Sequence, residues 1–123
     1  AARIAGVPFI CMVAPPADSP SLTGVTIAAA EMDLLARAMS NGQAHRALPL
    51  TISLCTAVAA LIDDTLVAEA SGRRGGALRL GMPSGILNVG AEVTREAGGW
   101  VAQAGSFYRT ARRLFDGRVW VPG

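Results

Sequence analysis

The chain has 123 residues, 51% of them hydrophobic and 16% charged, with a formal net charge of +2. That balance excludes an intrinsically disordered chain, a collagen and a heptad coiled coil, and two cysteines are too few for a disulfide framework. All eleven basic residues are arginine, so no step that needs a lysine base or Schiff base can come from this chain, and so small a positive excess steers anions weakly.

Residues 7–14 are a short apolar run closed by Pro15-Pro16 and are expected to form a buried strand. Residues 17–24 are turn-rich and form a loop. Residues 27–39 favour a helix on composition alone, and Ser40-Asn41-Gly42 breaks the chain after them. Residues 49–62 give the clearest helix, with Thr51 as N-cap and Leu54, Val58 and Leu61 at helical spacing. Its remaining positions are also mostly apolar, which predicts burial on every side. Asp63-Asp64 are unfavourable at a helix C-terminus, so the helix should stop before or at them.

Beyond this point the pattern changes to glycine-punctuated strands: 65–70, 77–81, 87–94 and 100–114. A hairpin loop is expected at 71–76, and Asp116-Gly117 signals a turn between Phe115 and a last strand over 118–121. Neither of the longest apolar stretches, 7–16 and 48–62, reaches the ~20 apolar residues of a membrane helix, and the start lacks the pattern of a signal peptide. Cys11 and Cys55 lie in apolar stretches, as reduced, buried thiols do in a cytoplasm. The expected picture is a single α+β domain over 1–123, a curved, mostly antiparallel sheet wrapped around one apolar helix.

Several motifs then line up in order. Met39-Ser40-Asn41-Gly42-Gln43-Ala44-His45-Arg46-Ala47 is followed by Leu50-Thr51 and by Cys55-Thr56-Ala57-Val58-Ala59-Ala60. Met82-Pro83-Ser84-Gly85 and Tyr108-Arg109-Thr110-Ala111-Arg112-Arg113-Leu114 come after. Together they resemble the PrpF family of methylaconitate and methylitaconate isomerases and oxalomesaconate tautomerases. The resemblance covers nearly the whole chain but only the last third or so of a typical member. It implies a diaminopimelate-epimerase-like half, in which a sheet wraps a central helix whose N-terminus faces the active site. It also implies that 31–39 is extended rather than helical. Members move a proton across an allylic system of small unsaturated di- or tricarboxylates without a cofactor, and their catalytic lysine and cysteine belong to a first domain. The expectation is therefore a fragment or stand-alone relative that supplies no catalytic residue of its own and at most binds a carboxylate.

Four residues carry that binding expectation. Thr51 and Ser53, with their amides, sit at a helix N-terminus, which presents unpaired N–H groups and partial positive charge; the alternative is plain helix capping. His45 precedes that helix and is the chain's only histidine. It serves either as carboxylate ligand or acid/base, or as a loop residue bonded to backbone. Ser84 either touches substrate or only shapes its turn. Cys55 is a thiolate only if the helix start lowers its pKa and solvent reaches it, and otherwise a buried filler. Residues 81–85 lack the lysine ending of a phosphate loop. Arg109, Arg112 and Arg113 lack the aromatic interleaving of a nucleic-acid surface, and no cluster has metal-ligand spacing. A partial barrel leaves open edges, so the second expectation is a self-associating structural module, a homo-oligomer.

Overall fold

The computed structural model describes residues 9–72 and 75–122. In chain order it holds β1 (Ile10–Ala14), β2 (Ser19–Pro20), β3 (Thr26–Ile27), a single 3-10 turn at Ala29–Glu31, β4 (Leu34–Ser40) and β5 (Gln43–Ala44). Helices α1 (Leu50–Ala59) and α2 (Leu66–Ser71) follow, then β6 (Leu78–Met82), β7 (Gly85–Glu96) and β8 (Gly99–Phe107). The main sheet runs β1-β4-β6-β7-β8, with β5 paired to β4 off this path; β2 and β3 form a separate ribbon. Every pairing is antiparallel except β4 with β6. This is the expected curved, mostly antiparallel sheet against one main helix.

The core follows from strand alternation. Leu34, Ala36 and Ala38 of β4 and Leu78, Leu80 and Met82 of β6 point to one face, and all are buried, as is Val89 of β7. Helix α1 lays Ile52, Ala57 and Ala60 on that face, so the two sides make one cluster. Ser53 and Thr56 are buried with them, each turning its hydroxyl back onto its own helix: Ser53 Oγ donates to the Pro49 carbonyl at 3.0 Å and Thr56 Oγ1 to that of Ile52 at 2.8 Å. Such back-bonding lets a hydroxyl enter an apolar core without an orphaned group.

The parallel β4–β6 seam is short: Leu34 faces Leu80 and Leu35 faces Gly81. Side chains extend it. The Asp33 N–H donates to the Arg79 carbonyl at 2.8 Å, and the Arg79 N–H returns a bond to the Asp33 carboxylate at 2.8 Å. The Arg79 guanidinium closes on the same carboxylate, Nη2 to Oδ1 at 2.7 Å, which pushes its pKa still higher than usual for arginine. At the other end, Arg37 Nη1 donates to the Gly81 carbonyl at 3.2 Å and Nη2 to Ser19 Oγ at 2.7 Å.

Several local expectations are corrected. Residues 34–40 are strand, as the resemblance implied and composition did not; pairing with β1 on one side and β6 on the other overrides helix propensity. Residues 65–70 are not a strand. Thr65 caps α2 by accepting the Ala68 N–H at 3.1 Å, and Gly72 ends the helix with a left-handed φ of 60°. The segment after α2 therefore links a helix to a strand instead of closing a hairpin, and Arg73-Arg74 within it lie outside the described residues, as do residues 7–8 of the first expected strand. Strand β8 ends at Phe107, and neither a turn at Asp116-Gly117 nor a strand after it forms, because no neighbouring strand meets that stretch. Helix α1 is buried along one side only: Leu50, Thr51 and Cys55 are exposed, and Leu54, Val58 and Ala59 are half-buried. The sheet curls past one flank of the helix and leaves the other open.

Candidate functional site

The site is assembled by a tight hairpin. Asn41 and Gly42 both take positive φ, 51° and 72°, as a two-residue turn of a right-twisted ribbon requires. The turn sets Ser40 opposite Gln43 and Met39 opposite Ala44, and carries His45 back over β4. The His45 N–H donates to the Ala38 carbonyl at 2.8 Å, and Ser40 Oγ lies 2.6 Å from His45 Nε2, the donor depending on the tautomer. The half-buried imidazole also meets Phe9, ring centroids 6.0 Å apart at 51°. Its position is thus fixed from three sides.

The two-residue turn between β6 and β7 closes on the same segment. The Ser84 N–H donates to the Arg46 carbonyl at 3.0 Å, and the Leu48 N–H reaches Met82 Sδ at 3.3 Å. Gly85, at φ 125°, lets β7 leave that turn. Ser84 is exposed, and so is Arg46 beside it.

Pro49 occupies the N-cap of α1, the position expected for Thr51, and makes no side-chain cap bond because its ring has no acceptor. The first intrahelical bond runs from the Ser53 N–H to the Pro49 carbonyl at 3.0 Å. The N–H groups of Leu50, Thr51 and Ile52 are left with no intrahelical acceptor, at the positive end of the helix dipole. Thr51 lies one residue inside the helix with its side chain exposed. Ser53 is fully buried, and its hydroxyl, held by Pro49, faces the core rather than a ligand. The structure therefore ties the segment between His45 and the α1 start to the Ser84 turn through Arg46 and Leu48, leaves Thr51 exposed at the helix start, and turns Ser53 into the core. Phe9 and Thr51 line one groove of about 410 Å³ with Ile52, Cys55 and Val67.

Cys55 is exposed and Cys11 half-buried, so the expectation of two buried thiols is corrected. Burial pushes the Cys11 thiol above its ordinary value, partly offset by a hydrogen bond from the Arg37 backbone. Sequence reasoning missed Ser40, the residue that fixes His45. The Asn41-Gly42 pair was the available signal: a hairpin there folds the histidine onto the strand it has just left. Among the described residues no three His, Cys, Asp or Glu side chains converge as metal ligands, and no helix is long and apolar enough to cross a membrane.

The model of the family described as PrpF protein matches residues 1–122. The chain belongs to the PrpF family. Among PrpF relatives, the 2-methyl-aconitate isomerase of Shewanella oneidensis is 44% identical over 118 residues, covering 94% of this chain and 29% of its own. The 2-methyl-aconitate isomerase of Cupriavidus necator is 40% identical over 124 residues, covering 100% and 31%. The 3-methylitaconate isomerase of Eubacterium barkeri is 34% identical over 117 residues, covering 93% and 30%. A crystal structure of methylitaconate-delta-isomerase superimposes with a TM-score of 0.69 at 25% identity, covering 85% of this chain and 30% of the other. The fold is thus the diaminopimelate-epimerase-like half that the motifs implied, and the chain spans about 30% of the length of these PrpF relatives.

Proposed function

We propose that this PrpF-family chain forms one wall of a carboxylate-binding cleft in a cofactor-independent isomerase of small unsaturated di- or tricarboxylates. The observation that carries the reading is the uncapped start of α1. Three N–H groups open from it, Thr51 adds a hydroxyl, and His45, held by Ser40, adds an imidazole N–H in the tautomer or protonation state that donates. A carboxylate seated there satisfies orphan donors and meets the helix dipole with negative charge. Ser84 and Arg46 stand on the neighbouring loop to hold a second carboxylate. The names of the relatives supply the substrate class.

Allylic proton transfer needs one base and one acid poised across the substrate. This chain has no lysine to offer, and Ser53 is spent on the helix start, so on this reading the unaided chain binds and does not turn over. Its setting is the cytoplasm, where Cys11 and Cys55 stay reduced, and its ligand is an organic acid rather than a nucleic acid. The test is an amide and imidazole NMR titration with cis-aconitate. Shifts are expected at Thr51, Ile52, His45 and Ser84, with binding weakened at least about tenfold in His45→Ala, as loss of a charge-assisted hydrogen bond dictates. Equal affinity for the uncharged trimethyl ester, or shifts confined to other parts of the chain, overturns the site. Isomerisation of methylaconitate by the purified chain overturns its non-catalytic role.

A further inference from the structure

Ser40 does more than tether His45. The hairpin that joins them is held in register on both arms, with Met39 opposite Ala44 and Ser40 opposite Gln43. Strand β1 holds the outgoing arm from its other side, with Ile10 opposite Met39. The His45 N–H is bound to the Ala38 carbonyl at 2.8 Å, and Phe9 packs on the imidazole with ring centroids 6.0 Å apart. Both Ser40 and His45 are half-buried. Ser40 Oγ and His45 Nε2 therefore meet on a backbone that gives them little room to part.

Their separation decides which of them donates. At 2.6 Å the pair is closer than the ~2.7–3.2 Å of an N–H donor and falls within the ~2.5–3.0 Å of a hydroxyl donor. Hydrogen-bond satisfaction points the same way. Among the described residues, Nε2 is the one side-chain partner of Ser40 Oγ. A serine that accepted from Nε2–H would leave its own proton without a protein acceptor, whereas a serine that donates uses it. A ring nitrogen that accepts carries no proton, so in the neutral imidazole the proton sits on the other nitrogen. We propose that Ser40 is a positioning residue that locks neutral His45 in the Nδ1–H tautomer, so that the open edge of the ring is a hydrogen-bond donor.

The lock rests on the carboxylate reading only for its use. Nδ1 is the ring nitrogen left for a ligand, and Phe9, which touches the ring, lines the same groove as Thr51. With Nδ1 protonated, the neutral ring offers a carboxylate a donor, and binding takes up no proton. With the proton on Nε2, the same nitrogen would turn a lone pair towards the carboxylate and repel it. A site built on an unlocked histidine would be served only by the molecules in the right tautomer, and its affinity would fall by that fraction. The lock also withholds a base. A protonated Nδ1 has no lone pair with which to take a substrate proton, in keeping with a chain that binds and does not turn over.

The experiment records long-range proton–nitrogen correlation spectra of the imidazole in the full chain, where a single histidine makes the signal unambiguous. They are taken at a pH where that signal shows the ring neutral. Wild type is expected to carry the proton on Nδ1, a result that needs no variant. Ser40→Ala removes the donor and should move a large share of the proton to Nε2. Ser40→Thr keeps a hydroxyl and should restore the wild-type pattern. Affinity for cis-aconitate, measured on the same samples, should fall at least about twofold in Ser40→Ala, by the ratio of the Nδ1–H fractions in the two spectra, and return in Ser40→Thr. A wild-type proton on Nε2 overturns the proposal, and so does an Nδ1–H signal that Ser40→Ala leaves unchanged. A tautomer that shifts while the affinity for cis-aconitate stays constant upholds the lock and overturns instead the part given to His45 in the carboxylate site.

Discussion

Gly81 is the position where the packing makes its sharpest demand. It lies in β6, at the end of the parallel seam, and a Cβ added to it would stand 2.5 Å from Met32 Sδ and 2.8 Å from Met32 Cε. Met32 is 2% exposed, so its thioether has no open space to swing into. Gly81→Ala is therefore an overpacking substitution, costing about 1–3 kcal/mol. The alanine's stiffer unfolded chain offsets about 0.4–1 kcal/mol of that. The expected net loss is about 1–2 kcal/mol, or a Tm lower by about 4–8 °C for a domain of this length. Urea and thermal melts followed by far-ultraviolet circular dichroism at fixed protein concentration measure it. The decisive measurement is the cycle with Met32→Ala. That change alone opens a cavity, costing about 2–5 kcal/mol, but it also makes room for the new methyl. The double variant should then lose at least about 1 kcal/mol less than the two single losses combined. A Gly81→Ala protein as stable as wild type, or strict additivity in the cycle, refutes the reasoning.

Leu80, fully buried between β4 and β7, should cost about 3–5 kcal/mol when changed to alanine, read from the urea midpoint. Thr65→Ala removes the α2 cap together with the bonds that Thr65 Oγ1 donates to the Ala59 carbonyl at 2.6 Å and the Ile62 carbonyl at 3.1 Å; a loss of about 1–2 kcal/mol is expected, with hydrogen exchange speeding first at residues 66–71. Iodoacetamide should label exposed Cys55 well before Cys11, as peptide mass spectrometry at intervals will show. Because burial raises the Cys11 thiol in the folded state, folding favours its protonated form. That contribution is intact below the ordinary cysteine pKa and is lost as pH climbs through the raised one, so the urea midpoint should fall on the alkaline side of about pH 9 in wild type and less so in Cys11→Ala.

What could be read in advance depended on how local the signal was. Helix α1 was legible because the 13-residue, mostly apolar run between Pro49 and Asp63 leaves little else for the chain to do. Its one-sided exposure was not, because an all-apolar helix reads the same whether the sheet goes half or fully around it. The Ala, Met and Leu content of β4 pointed to a helix and only the motif resemblance gave it as extended, because its neighbours are what make it a strand. Helix α2 was misjudged although Thr65 and Gly72 bracket it, since Leu66-Val67 looks equally like a strand. At the candidate site, motif order singled out His45, Ser84 and the α1 start, whereas the inward turn of Ser53 was not visible without knowing that Pro49 takes the cap. The cap stands two residues before the expected Thr51, about 200° of helical phase, which spacing alone does not resolve.

The β4–β6 seam has one more implication, for how the domain breathes. Only two residues of each strand are in register there, and the connection between them passes through both helices. The antiparallel ribbon β6-β7-β8, by contrast, joins neighbours in sequence through tight turns and can form by itself early. The sheet is therefore two blocks riveted along one line, with the Asp33–Arg79 clasp at one end and Arg37 at the other. Fluctuations that cost less than global unfolding should part the blocks along that line, and the His45 loop, rooted in β4 but bonded to the β6–β7 turn through Arg46 and Ser84, straddles the crack.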